Sequence, residues 1–473
     1  MFKNGVQRLL KFLGLGPKAA PSAPTREPGA KRARKYATVP DKAFADEQCL
    51  SFGPKATDET DAVLGLDFGT SCLRAVVRLP FVPGSLAFAV PLNDQGGPEY
   101  FLPVPSMPAS SRLFGTAASN IKVRMIVDPS DEDAATRATA ILAKTIREAR
   151  RWFLAAQRKN YGKFKLKWTL NLGIPSSGYE DERIRLNFLR CVRAAWVLSL
   201  SEATLSEEHA REALASGLGA DSPVDTVPEI AAAAEGYRRS VHAKEGMHVM
   251  IDVGASTLDV CGFVVCGPTA ASPFSLFTTA VEQLGAAVLH DARLRSLDGA
   301  ASSSPAVSVD GRDPMNRVPD ELLAYVAGGG GVPSALQIAD EKFQSECQLA
   351  VRRVVAGMWQ KNPLSSQWKH GTPVFLIGGG GRMKFFRRVP EVIRQEKMAS
   401  VAWGKLIPEE LGEPSDLRPK GLAPEVVLRM LVAYGLSWPR PDFGVFINPA
   451  SIPAMEPPPR RRLDDRYFGK EQM

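Results

Sequence analysis

Apolar positions along this chain fall into two alternating patterns. Short continuous runs, Val63 to Leu66, Val249-Met250-Ile251 and Val374-Phe375-Leu376-Ile377, read as strands buried on both faces. Segments 63–67, 72–79 and 85–91 are predicted as three strands joined by turns. Residues 131–159 carry a helical period, with Ile141, Leu142, Thr145, Ile146, Ala149, Trp152, Phe153 and Ala156 on one face. A strand at Lys167–Ile174 and a helix from Asp181 to Leu200 follow. The order β-β-β-α-β-α then recurs. Strands are predicted at 247–253, 257–266 and 274–281, helices at 283–296 and 336–360, a strand at 373–378 and a helix at 383–397. Further helices are predicted at Pro228–Arg239, between the halves, and at Ala423–Ser437, near the end. The halves share element order and not residue identity, so the predicted fold is α/β with an internal structural repeat.

Charge separates an arm from this body. The formal net charge is +8, and residues 1–44 hold ten Lys or Arg against two acids, which is the whole excess. The sequence pI of about 9.1 therefore describes the arm, and the balanced body argues against a nucleic-acid-binding core. Residues 1–60 read as a basic, largely disordered arm, because 15–40 are rich in Pro, Ala, Gly and basic residues that cannot build a core. Within it Phe2, Val6, Leu9, Leu10 and Leu13 repeat at helical spacing between Lys3, Arg8 and Lys11. Residues 1–14 could lie on an anionic membrane surface or dock on a protein partner; the plainer reading is a marginal helix in a disordered tail. The basic, acid-poor composition also fits a transit peptide, whereas the short apolar run without a cleavage site argues against a secretory signal.

Residues 296–335 are rich in Gly, Ser and Pro and are predicted to contain a mobile insertion; 439–473 form a Pro/Arg-rich tail. No apolar run reaches 18 residues, so no transmembrane helix is expected. The six Cys show no CxxC spacing, and Cys72, Cys191 and Cys261 sit in apolar segments as buried thiols. This pattern argues for a reducing, cytoplasmic setting and no zinc site.

Three glycine turns close three of the predicted strands. They are Asp67-Phe68-Gly69-Thr70-Ser71, Asp252-Val253-Gly254-Ala255-Ser256-Thr257-Leu258-Asp259, and Gly378-Gly379-Gly380-Gly381-Arg382. A glycine turn after a buried strand can aim backbone N–H groups at phosphate, and an Asp at the strand end can hold a carboxylate near Mg²⁺. One such loop is weak evidence, because any tight turn uses Gly. Three in this order point to a nucleotide cleft.

Two β-β-β-α-β-α lobes of ribonuclease-H-like order, with Asp-Gly loops on each, resemble the actin, hexokinase and heat-shock ATPase superfamily. Within it the chain is most similar to the ATPase domain of the 70-kilodalton heat-shock chaperones (DnaK-like). Lys167-Trp168-Thr169-Leu170-Asn171-Leu172-Gly173-Ile174-Pro175 resembles that family's strand ending in Val-Pro, Pro228-Glu229-Ile230-Ala231-Ala232 its Glu-Pro-Thr-Ala-Ala helix start, and Ala433-Tyr434-Gly435 the Ala-Gly turn of its second connecting helix. The resemblance covers roughly residues 62–440. It implies a two-lobed actin-like ATPase fold with lobe I at 61–226, lobe II at 227–438 and a nucleotide cleft between them, the end helix returning to lobe I.

The resemblance also implies ATP and Mg²⁺. Asp67 and Asp252 match the acids that hold Mg²⁺, mostly through water. Gly69, Thr70 and Ser71 match the first phosphate loop, and Gly254, Ala255 and Thr257 the loop at the γ-phosphate. Gly378, Gly379, Gly380 and Arg382 match the adenosine-side loop. Lys122, in Ser119-Asn120-Ile121-Lys122, matches the lysine that positions attacking water, with Glu229 orienting it. A solvated loop cation and a helix N-terminal acid are the plain alternatives for these two. Catalysis would then rest on Lys122, Glu229, Asp252 and Thr257.

Departures qualify the match. Ala255 and Ser256 stand where the family usually has glycine, so turnover is expected to be slow. The adenine-clasping helix should carry Glu and Lys/Arg one turn apart; Glu341, Lys342, Glu346, Arg352 and Arg353 are candidates without a clean alignment, which leaves nucleotide choice open. Only 35 residues follow Trp438, whereas a peptide-binding sandwich needs ~100. The expected function is a chaperone-like ATPase switch without its own peptide-binding domain, acting with an unknown protein partner or co-chaperone. The rival readings are an actin-like filament protein, a nucleotide-binding scaffold with negligible turnover, and a sugar or acid kinase.

Overall fold

A computed structural model describes residues 57–92, 100–104, 120–176, 181–201, 205–240, 243–267, 274–297, 318–326, 331–395, 405–440 and 452–455. The arm through residue 56, including its apolar helical repeat, lies outside the described residues. The chain is α/β, built on two mixed sheets.

In the first half, β1 (Asp58–Phe68), β2 (Cys72–Arg78), β3 (Ala87–Ala89) and β4 (Leu102–Pro103) lead to α1 (Ile121–Val127) and α2 (Glu132–Tyr161). There follow β5 (Phe164–Ile174), α3 (Glu182–Leu200), α4 (Glu207–Ala215), β6 (Val224–Pro228) and α5 (Glu229–Arg238). The second half runs β7 (Gly246–Val253), β8 (Leu258–Val265), β9 (Phe274–Glu282), α6 (Ala286–Arg295), a 3₁₀ turn (Leu322–Tyr325), α7 (Ser334–Lys361), α8 (Gln367–His370), β10 (Thr372–Ile377), α9 (Lys384–Gln395), β11 (Leu406–Glu409), β12 (Leu417–Arg418) and α10 (Pro424–Leu436).

The first sheet has the order β12-β3-β2-β1-β5-β6, with β4 on β2, and the second β11-β10-β7-β8-β9. Within each half the third strand lies beside the second, the second beside the first, and two later strands extend the other edge. The first two strands pair antiparallel in both halves, and the later ones run parallel to the first. The repeat predicted from element order is thus a repeat of sheet topology.

Both central strands are covered on both faces, which is why they read as continuous apolar runs. Leu64, Leu66 and Phe68 of β1 join Leu142, Ile146, Phe153 and Phe188 in a core beneath α2 and α3. A second core lies between the sheets. It encloses α5 and α10 (Ala232, Tyr237, Ala433, Tyr434) with Val76 of the first sheet and Phe263 and Phe375 of the second. A third packs the second sheet on α7 and α9 through Val249, Val354 and Phe386. The layers therefore run helix, sheet, helix, sheet, helix, and the middle layer is shared. There α5 and α10 cross in direct backbone contact: a Cβ on Gly435 would lie 1.8 Å from the Ala232 carbonyl oxygen.

The long helix α2 starts where its cap dictates. Asp131 accepts from the Ala134 amide at 2.9 Å, with Glu132 and Asp133 in the first turn and Arg158 and Lys159 in the last, all matched to the helix dipole. Of its predicted apolar face Leu142, Thr145, Ile146, Ala149 and Phe153 are buried, Ile141 and Trp152 half-buried, and Ala156 is exposed.

Four expectations need correction. The body begins at Asp58, paired with Phe164, so residues 58–60 belong to β1 and not to an arm ending at 60. The predicted insertion at 296–335 is packed over 318–326: Arg293 donates to the Pro319 carbonyl at 2.6 Å, and Tyr325 Oη lies 2.8 Å from His290 Nδ1. The tail is tied to the body too, since Arg440 pairs with Asp225, Ile452 is buried in the third core, and the Met455 amide donates to Gln360 at 2.8 Å. Finally, α1, α4, β6, β11 and β12 were not predicted from the pattern; each is too short to display a period, and Pro408 interrupts β11. Cys72, Cys191 and Cys261 are buried free thiols, as expected. No described helix is long and apolar enough to cross a membrane.

Candidate functional site

The two sheets end at matched points. In the first, Asp67 near the end of β1 stands opposite Arg74 on β2 and Gly173 on β5. Gly173 in turn stands opposite Val227 on β6, two residues before Glu229 opens α5. In the second, Asp252 near the end of β7 stands opposite Asp259 on β8 and Ile377 on β10. Parallel strands bring their carboxyl ends to one edge, where open α/β sheets hold ligands.

The three glycine loops meet here. The Gly69 amide closes onto Cys72 O at 3.1 Å and the Gly254 amide onto Thr257 O at 2.9 Å, so each forms a tight turn. The carbonyls of Gly254, Ala255 and Ser256 accept from the amides of Ala286, Ala287 and Gly285 and thereby cap α6. The third loop rests on the second: the Gly380 amide donates to Val253 O at 3.0 Å. Gly378 has φ +79, and a Cβ there would lie 2.2 Å from Asp252 Oδ1, so only glycine admits this approach. Among the described residues these bonds leave the amides of Thr70, Ser71, Ala255, Ser256 and Gly379 without a carbonyl acceptor. Such sets of N–H groups make anion sites.

Side chains are delivered from several elements. Asn120 caps α1, its Oδ1 accepting from the Val123 amide at 3.2 Å, while its Nδ2 donates to Thr70 O at 3.0 Å. This double contact fastens α1 to the first loop and sets the position of Lys122. Lys122 Nζ donates to Glu229 Oε1 at 2.5 Å, both side chains buried. Arg74 Nη1 donates to Asp67, and Arg74 Nη2 reaches Cys72 Sγ at 3.3 Å. The Arg74 guanidinium also faces the ring of buried Phe101, on whose other contact Arg429 sits against Gly379. Thr257 Oγ1 donates to Asp259 Oδ2 at 3.3 Å, while the buried Asp259 Oδ1 has no hydrogen-bond partner.

These groups feel one another. Burial pushes the Asp252 carboxyl up to about 7, reinforced by Glu229 and Asp67 and countered by Arg74 and Lys122; the side chain is half-buried but lies deep among protein atoms. Burial holds Asp259 well above the usual carboxylate range, with Asp252 and Glu229 adding to it. Glu229 is raised by burial, which Lys122 offsets and Asp67 reinforces. Burial opposes the Arg74 charge, but Asp67, Cys72 and Asp252 together outweigh it and hold the guanidinium more firmly protonated. Four carboxylates against two cations leave the cluster short of positive charge when all are ionised.

That deficit and the orphaned Asp259 oxygen suit a hard divalent cation, which takes oxygen ligands. Among the described residues no group of three or more His, Cys, Asp or Glu converges closely enough to hold a metal directly. A divalent ion would be held by Asp252 and Asp259 with water or a ligand's oxygens completing its shell. Asp67 fits this less well, because Arg74 already engages it.

Of the residues predicted from sequence, Asp67, Lys122, Glu229, Asp252 and Thr257 are brought into this one cluster, and Gly69, Thr70, Ser71, Gly254, Ala255, Gly378, Gly379 and Gly380 form its loops. Arg382 is exposed and lines a concavity beside the third loop, with Gly381, Arg387, Glu391, Leu411 and Leu428. Arg353 of the candidate clasping helix pairs instead with Glu282 at 2.7 Å. Sequence reasoning missed Arg74, Asn120 and Asp259 as functional residues. Asp259 carried a signal, two residues beyond Thr257 in a loop already singled out. No protein-family model matches the chain, and no curated protein matches it in sequence.

Proposed function

We propose that the chain is a nucleotide-dependent switch of the two-lobed actin-like kind, close in design to the heat-shock-chaperone ATPase module. It would bind ATP at the joined strand ends and hydrolyse it slowly. The carrying observation is the convergence of three glycine loops with unpaired amides on one buried cluster of Asp67, Lys122, Glu229, Asp252 and Asp259 drawn from both halves.

Phosphoryl transfer to water asks for positioning and charge stabilisation more than covalent help. The amides of Thr70 and Ser71 on one side, and of Ala255 and Ser256 on the other, would bind polyphosphate oxygens. Lys122, held in place by Glu229 and by the cap on α1, would present a fixed positive charge beside the terminal phosphoryl group and orient the attacking water. A divalent cation on the carboxylates would neutralise charge on the phosphate chain. The α5–α10 crossing, touched by both sheets, supports the expectation that closure of the halves on nucleotide is the output.

A second reading, a nucleotide-binding scaffold with negligible turnover, is favoured by two features: Cβ atoms at Ala255 and Ser256 in the second loop, and Arg74 on Asp67. Calorimetry and phosphate release separate the two. Mg-ATP should bind, and Lys122→Ala should lower turnover by about tenfold or more while changing affinity less. Binding without measurable turnover in the wild-type chain selects the scaffold. No binding of any nucleotide, with or without metal, defeats both.

A further inference from the structure

The two halves place opposite charges at one topological position. In each, the second strand runs back along the first, and the residue opposite the strand-end Asp is Arg74 in the first half and Asp259 in the second. Arg74 is engaged with Asp67 and Cys72 and is mostly enclosed, whereas Asp259 adds a buried carboxylate to Asp252 and keeps one oxygen without a partner. A pair of Asp residues that look equivalent in sequence therefore meets opposite environments.

We infer that Arg74 is a tethered counter-cation for the strand-end carboxylate of the first half. It withholds Asp67 from metal, directs any divalent ion to Asp252 and Asp259, and supplies a standing positive charge to a polyphosphate ligand. A guanidinium suits this position. It remains charged under all ordinary conditions and offers several donors in a fixed plane, so it can hold Asp67 and a phosphate oxygen together. Its packing against Phe101 keeps the group in place when no ligand is present. Arg74 is thus a positioning and specificity-determining residue, and metal-free nucleotide should bind this chain unusually well. The last point rests on the nucleotide reading; the effect on metal does not.

The decisive test measures Mn²⁺ binding to the full chain without nucleotide, by electron paramagnetic resonance, in wild type and Arg74→Gln. Loss of a unit charge in contact with the cluster should tighten Mn²⁺ by about tenfold or more. Equal Mn²⁺ affinity in the two proteins overturns the inference. Should Arg74→Gln not fold, as judged by circular dichroism, Arg74→Lys decides. Its shorter reach and single point charge should leave Asp67 more available and tighten Mn²⁺ by about threefold, and an unchanged affinity again overturns the proposal. A second arm compares ATP binding in Mg²⁺ and in EDTA. The wild type should lose less than about tenfold in EDTA and Arg74→Gln clearly more; an equal loss in both removes the polyphosphate role. A wild type that binds no nucleotide, with Mn²⁺ still tightened in Arg74→Gln, defeats the nucleotide reading and leaves the tethered cation standing.

Discussion

The two sheets share strand order, strand direction and an Asp at the end of the first strand, yet they balance charge in opposite ways. Asp67 has Arg74 across the hairpin and Asp252 has Asp259. The contrast continues four residues earlier, where Val63 stands opposite Arg78 and His248 opposite Phe263. Arg78 is wholly buried. It donates to Asp416 at 2.5 Å and to Ser85 O at 2.6 Å, and stacks 3.7 Å from the Trp438 ring centroid. His248 is also wholly buried, but neutral, stacked between Phe263 and Phe375 with Tyr237 Oη 3.1 Å from its Nε2. Topology repeats because backbone hydrogen bonding and apolar layering are indifferent to side-chain sign. Charge need not repeat, because each buried ion answers only to its own neighbours.

The contrast can be broken most strongly at Arg78. Arg78→Ala removes the cationic partner of Asp416, leaving it only the Tyr434 hydroxyl, and the plate between Tyr434 and Trp438. We expect a loss of about 3 kcal/mol in urea unfolding.

The matching strand pair of the second half, His248 opposite Phe263, should respond to pH instead. Burial pushes His248 down to about 4, and His290 likewise, with Arg293 adding to the latter. A depressed histidine pKa means that the unfolded chain binds the proton first. Stability is therefore complete above about 6.5 and falls as pH drops toward 4, by up to about 3 kcal/mol for His248. His248→Phe should flatten this slope measurably in denaturation curves taken between pH 7 and 4; an unchanged slope assigns the acid loss elsewhere.

At the strand ends the signs should oppose. Asp67→Asn strands the Arg74 charge and should destabilise the ion-free chain by about 2 kcal/mol. Asp252→Asn relieves a carboxylate whose pKa is raised to about 7. A raised acid pKa means that the folded chain holds the proton longer, so wild-type stability declines as pH rises from about 4 to 7. The gain in Asp252→Asn should grow through that window and reach about 2 kcal/mol above it. Melting both variants at pH 5 and pH 8 checks this, and like signs at pH 8 would mean that the halves are electrostatically equivalent after all.

The smallest effect is expected at Asn120. Asn120→Ala removes the cap of α1 and its tie to Thr70 and should cost about 1 kcal/mol. Under the proposed function it should also lower turnover more than that loss explains, because Lys122 rides on α1. Kinetics beside a melting curve would separate the two contributions.

Much of this was legible beforehand. The long helix α2, strands β1, β7 and β10 and the three glycine turns follow from local period and turn chemistry, and their observed bounds differ from expectation by a few residues. Lys122 and Glu229 were singled out from two distant segments, and the fold joins them across 107 positions of sequence. Arg74 was passed over because an arginine in a strand next to a glycine turn reads as a solvated cation until its partner across the hairpin is known. The packing of Tyr325, Arg440 and Ile452 was hidden because Gly-, Ser- and Pro-rich neighbours mask a few isolated contacts.

What the sequence determined by itself is whatever depends on near neighbours along the chain: where strands and helices form, where glycine lets the backbone turn, and which caps start the helices. Tertiary structure alone decided which charges are paired. The partner of Arg78 lies 338 residues away, and the crossing at Gly435 depends on the carbonyl of Ala232. The energy of a buried ion is set by groups within a few ångströms of space, whatever their separation in sequence, so two Asp-Gly turns written alike became one neutralised carboxylate and one that lacks a cation.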